Sequence, residues 1–82
     1  MVRKNGAETR RQRIQEIGKR VQAGLHEHGK ISYKKTVSVL AFETGLTKEK
    51  VMEYLSILED LGRFVIDKKT DTIRRANESA ES

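Results

Sequence analysis

The sequence predicts a mainly α fold, three helices and a small β-hairpin, on three observations. Apolar residues recur at helical spacing in separate stretches, glycine or threonine stands at the ends of those stretches, and RFVIDKKTDTIRR reads as strand, turn and strand. With 82 residues and 35% hydrophobic content, the chain suits one small domain with a modest core. Residues 7–75 are expected to fold, residues 1–6 to form a flexible basic arm, and the small polar residues 76–82 to be a disordered tail.

The first helix is expected over residues 7–28. Asn5 and Glu8 make a capping pair, Gly29 supplies the stop, and Ile14, Ile17, Val21 and Leu25 share one buried stripe. Gly18 and Gly24 lie on that stripe, where each costs about 0.5–1 kcal/mol relative to Ala unless another helix or a second protomer packs close. Ile31 in KISYKK anchors a connector that pairs briefly as a strand. Thr36 is placed to cap a short second helix, 37–44, whose apolar residues surround it: Val37, Leu40 and Ala41 on one side, Val39 and Phe42 on the other.

Gly45 ends that helix, Leu46 plugs the junction into the core, and Thr47 caps a third helix running to Leu61 before Gly62. Val51, Tyr54, Leu55, Leu58 and Leu61 form its apolar face. In the closing hairpin, Phe64 and Ile66 share a face of the first strand, and Ile73 marks the second.

Charge is unevenly distributed. The net charge is +5, but residues 3–35 carry +7, residues 36–62 carry −3 and residues 63–75 carry +3. A basic excess favours a polyanionic partner. The absence of cysteine excludes disulfides, thiolate chemistry and cysteine-ligated zinc. No apolar run approaches the ~18 residues that a membrane span requires, and the start MVRKNGAETRR lacks a signal-peptide core, so a cytoplasmic protein is expected.

The tight Thr-Gly-Leu-Thr junction and the basic hairpin together outline a winged helix-turn-helix. LAFETGLTKEKVMEYLSILEDLGRFVID resembles the helix-turn-helix and first wing strand of small archaeal and bacterial winged-helix proteins, over roughly residues 10–75. That resemblance implies duplex DNA binding, usually by a transcription regulator and often by a homodimer. The dimer is also suggested by the Gly18 and Gly24 stripe and by Val39, Phe42 and Ile57, which lie off the main core faces.

The third helix poses a difficulty, because its outward face carries Glu49, Glu53, Ser56 and Asp60. A carboxylate can accept from cytosine N4 but cannot attract phosphates. Thr47, Lys48 and Lys50 are therefore expected at the edge of the major groove. Arg10, Arg11, Arg13, Lys34, Lys35, Lys68, Lys69, Arg74 and Arg75 are expected to hold the backbone; Tyr33 and Tyr54 read as core-edge residues, and of the two only Tyr33 stands where a base could stack. Two other readings stand beside this one: a protein-interaction module using the acidic helix face, and a winged helix that binds structured RNA.

An enzyme is not expected, nor a metal or other cofactor. His26 and His28 point about 200° apart on a helix and cannot share a metal ion; His28 reads as a half-buried residue at the helix end. Gly29-Lys30-Ile31-Ser32 lacks the upstream glycine, the Lys-Ser adjacency and the preceding strand of a phosphate-binding loop.

Overall fold

The computed structural model describes residues 6–76. Three helices and three short strands follow one another as α1 (Gly6–His28), β1 (Lys30–Ser32), α2 (Tyr33–Thr44), α3 (Lys48–Asp60), β2 (Phe64–Asp67) and β3 (Thr72–Arg75). The strands make one antiparallel sheet in the order β1-β3-β2. The expected Asn5 cap, the arm residues 1–5 and the tail residues 77–82 lie outside the described residues. Among the described residues, no helix is long and apolar enough to cross a membrane.

The α1 stripe packs as its spacing requires, with Ile17, Val21 and Leu25 fully buried and Ile14 against their edge. Val37 and Leu40 of α2, Val51, Tyr54, Leu55 and Leu58 of α3, and Phe64 and Ile73 of the sheet complete one core. Each large apolar side chain sealed there contributes about 1.5–3 kcal/mol relative to exposure. Both glycines of the α1 stripe are accounted for within the chain. A Cβ at Gly18 would stand 3.2 Å from Leu58, and one at Gly24 would stand 3.6 Å from Ile31.

Strand parity sorts the hairpin. Ile31, Ile73 and Ile66 face one another across the sheet, while Lys30, Arg74 and Val65 form the alternate row. Arg75 therefore shares the inward face of Ile73. The edge strand β2 is partly satisfied by a side chain, because the Ile66 amide donates to Glu59 Oε2 at 3.1 Å.

Four expectations are corrected. Helix α2 starts at Tyr33 under a Ser32 cap, not at Val37 under Thr36, because Ser32 Oγ accepts from the Lys35 amide at 3.2 Å. Tyr33 is buried beneath this start, which takes its ring out of reach of a base. Leu61 is 64% exposed rather than on the buried face: as C-cap of α3 it keeps its amide bond to Ile57 O at 3.0 Å, but its side chain borders an open groove between α1 and α3. His28 lies in solvent rather than half-buried, with its side chain 62% exposed at the last residue of α1.

Candidate functional site

The junction between α2 and α3 is held by local hydrogen bonds. Gly45 takes φ 79°, a left-handed conformation that glycine adopts without a Cβ clash, and its amide donates to Ala41 O at 2.9 Å. Thr44 Oγ1 donates to Leu40 O at 2.6 Å and accepts from the Leu46 amide at 3.3 Å, while Leu46 packs against the core. Thr47 is extended, and its Oγ1 accepts from the Lys50 amide at 3.1 Å. Among the described residues, the Lys48 and Glu49 amides have no acceptor, as expected for the first turn of a helix. These donors, the positive end of the helix dipole, and the exposed Lys48 and Lys50 coincide at one place.

Of the four acids on α3, Glu53 is the one held in ion pairs among the described residues. Glu53 pairs with Arg10 of α1 at 2.8 Å and with Lys50 at 3.5 Å, and the Arg10 guanidinium stands 6.0 Å from the Tyr54 ring centroid. Both partners of the Arg10–Glu53 pair are about half exposed, so it contributes only about 0.2–1 kcal/mol. Its main consequence is positional: an arginine of α1 is delivered beside the second turn of α3, and one carboxylate lies between two cations. Glu59 accepts from the Ile66 amide at the β2 edge, and Glu49, Glu59 and Asp60 have no counter-ion among the described residues.

The three expected arginines of α1 diverge. Arg10 reaches α3, and Arg13 lines a small cleft with Glu43 and Thr44 at the end of α2, next to the junction. Arg11 turns instead to a groove between α1 and α3. Arg20 joins α1 to α2 through Glu16 at 3.1 Å and Glu43 at 2.6 Å, and these carboxylates hold its guanidinium above its ordinary pKa, the Glu16 hydrogen bond foremost.

A second basic group stands at the opposite end of α2, roughly 15 Å along the helix from the junction at 1.5 Å per residue. Its organiser is Asp71, a residue not foreseen as functional, held at φ 58° in the hairpin turn. Asp71 Oδ2 accepts from Ser32 Oγ at 2.7 Å, its Oδ1 accepts from the Lys34 amide at 2.8 Å, and its carbonyl accepts from the Tyr33 amide at 3.1 Å. The Ser32 hydrogen bond, followed by that of Lys34, holds this carboxylate below its usual range. Lys68 Nζ lies 5.9 Å from the Tyr33 ring centroid, so the hairpin lysines Lys68 and Lys69 stand near Lys34 and Lys35. Burial, and then Glu59, push the Tyr33 hydroxyl up. The turn itself is closed by Asp67 Oδ1, which accepts from the Lys69 and Thr70 amides at 3.0 and 3.3 Å.

The two arginines of β3 part company. Arg74 lies 3.7 Å from Asp67 on the outer row. Arg75 does not belong with the outward cations: its Nη2 donates to the carbonyls of Leu25 at 2.9 Å and His26 at 3.2 Å, capping the C-terminal end of α1. The sequence held the signal, since a residue two after the core Ile73 must share its face. Among the described residues, no cluster of three or more His, Cys, Asp or Glu is placed to hold a metal ion. No protein-family model, curated protein or solved structure matches this chain.

Proposed function

We propose that the chain is a winged helix-turn-helix module that binds double-stranded DNA, with Thr47, Lys48 and Lys50 at the major groove. Arg10 and Arg13 flank them, and Lys34, Lys35, Lys68 and Lys69 hold phosphates about 15 Å away, a spacing comparable to the ~12 Å width of the major groove. Three helices with a small antiparallel sheet in the order β1-β3-β2 are compatible with a helical trio closed by a wing, which supports the reading. The observation that carries the reading is the start of α3, where unaccepted amides and two exposed lysines lie beside Arg10. Glu53, which would otherwise repel phosphates, is held between Arg10 and Lys50.

A homodimer belongs to this reading and would act as a transcription regulator on two half-sites. Its support is the exposed pair Val39 and Phe42 on α2, with Phe42 89% exposed. The glycines of α1 no longer contribute to that support, because they pack against Leu58 and Ile31 of the same chain.

Titration of a labelled random-sequence duplex of about 20 base pairs at rising salt tests the reading. A slope of log K against log salt near −0.9 per contacted phosphate is expected, so four to six contacts give roughly −4 to −5. Failure to bind the duplex at low salt rejects it. Selection from a random duplex pool then distinguishes specific from architectural binding, and an enriched palindrome supports the dimer.

A further inference from the structure

An open groove of about 1010 Å³ runs between α1 and the C-terminal end of α3. Its α1 wall includes Arg10, Ile14, Gly18, Gln22 and His26, a row of residues four apart that follows the helix for about 24 Å. The other wall is Ile57 and Leu58 of α3, its C-cap Leu61, and Arg63. Gly18, without a side chain, lets Leu58 approach closely and leaves the floor concave, with Ile14, Ala23, Ile57 and Leu61 supplying an apolar lining. Leu61 is the clearest anomaly, a large apolar residue 64% exposed at the groove edge.

The rim has one sign of charge. Arg10, Arg11, Lys19 and Arg63 line the groove, and among the described residues no Asp or Glu does. Arg10 is paired with Glu53, whereas Arg11, Lys19 and Arg63 have no carboxylate partner among the described residues. A basic rim around an apolar floor fits a helix with an apolar stripe flanked by carboxylates.

We propose that this groove docks an acidic amphipathic helix of about 16 residues from another protein, a length set by the span of the α1 wall. Among the described residues, α2 and α3 of a second copy offer no such helix face. The apolar face of α3 is sealed in its own core, and the exposed Val39 and Phe42 of α2 are accompanied by only one acid, Glu43, already paired with Arg20. Docking here leaves the α3 start and Lys34, Lys35, Lys68 and Lys69 open, and Arg10 is the one residue shared by the groove wall and the proposed duplex contact.

The test uses a fluorescein-labelled model helix of about 16 residues with leucines at helical spacing and glutamates on both flanks, beside a twin carrying lysines in place of the glutamates. Anisotropy is expected to give a Kd on the order of 10 μM for the acidic helix and at least about tenfold weaker binding for its twin. Amide shifts should concentrate at Ile14, Ala23, Ile57 and Leu61. Leu61→Asp and Ala23→Glu change exposed positions on opposite walls, and each should weaken the acidic helix at least about tenfold while leaving duplex affinity unchanged. Equal binding of the two helices, no binding of either, or shifts outside the groove overturns the proposal. Concentration-dependent self-association that moves the same amides overturns it too, by making a second copy the occupant.

Discussion

The two helix starts that bracket α2 and α3 look alike in sequence and differ in what surrounds them. Both have an extended hydroxyl residue as N-cap, Ser32 before α2 and Thr47 before α3, each accepting from the amide three residues on. At α2, however, Asp71 comes in from the hairpin, takes the Tyr33 and Lys34 amides and the Ser32 hydroxyl, and places a negative charge on the positive end of the helix. At α3 no such residue arrives, and the Lys48 and Glu49 amides stay unaccepted within the described chain. One start is a joint that fastens the hairpin to the helical body; the other keeps its first amides open, as the proposed duplex contact requires. Equal local chemistry has been given opposite uses by one carboxylate 39 positions away in sequence.

The largest effect should come from removing the charge at the open start. Lys48→Ala/Lys50→Ala is expected to lower duplex affinity by about tenfold to a hundredfold at low salt and to reduce the salt slope by about 2. Lys68→Ala/Lys69→Ala should lose less, and Lys34→Ala/Lys35→Ala least, about threefold, because Asp71 already offsets the charge beside them. Anisotropy on one duplex measures all three. Equal affinities across the set would remove the distinction between the two starts.

Stability should be ordered the other way. Ser32→Ala removes both a cap and a donor to Asp71, and is expected to lower unfolding free energy by about 1–2 kcal/mol in urea, while Thr47→Ala costs about 0.5–1 kcal/mol. The pH dependence isolates the carboxylate. The folded pKa of Asp71 is depressed below 3.8, so its contribution is complete above that value and disappears as pH falls through the folded value. The stability gap between wild type and Asp71→Asn should therefore be level at neutral pH and close below 3.8. A gap that stayed level into acid would mean that the Ser32 and Lys34 hydrogen bonds do not depend on the charge.

A smaller change should follow at α3 from Glu53→Gln. The substitution removes an exposed negative charge and loosens Arg10 and Lys50, so duplex affinity should rise about threefold with little change in stability. Unchanged affinity would place Glu53 away from the bound phosphates.

The contrast between the starts also marks the reach of the sequence. Thr47 was legible because its cap, the Gly45 turn and the Leu46 plug are consecutive, so local chemistry alone decides them. Ser32 was not, since Thr36 is an equally good cap in isolation and only Asp71, distant in sequence, selects between them. The core stripes were legible from period, and Leu61 broke the pattern because no element packs over the C-terminal end of α3 there, which the period does not encode. Arg75 fell between these cases: the parity that turns it inward was readable, but counting it with its basic neighbours hid that. The pairing of Arg10 with Glu53 crosses from α1 to α3 and depends on how those helices pack, which no local spacing encodes.

The packing beneath the two starts differs as well, and gives the smallest predicted effect. Gly24 lies under Ile31, on the α2 side, where an added Cβ would make an ordinary contact at 3.6 Å. Gly24→Ala should therefore gain most of the helix-propensity difference, raising stability by about 0.5–1 kcal/mol. Gly18 lies under Leu58, on the α3 side, and there the same Cβ would stand at 3.2 Å, so Leu58 must yield before any gain appears. Gly18→Ala is expected to be neutral or destabilising by up to about 1 kcal/mol. Urea unfolding of the two variants reads the difference directly. If Gly18→Ala stabilised as much as Gly24→Ala, α1 would have the same slack against α3 as against β1, and the close approach that shapes the α1–α3 groove would not be rigid.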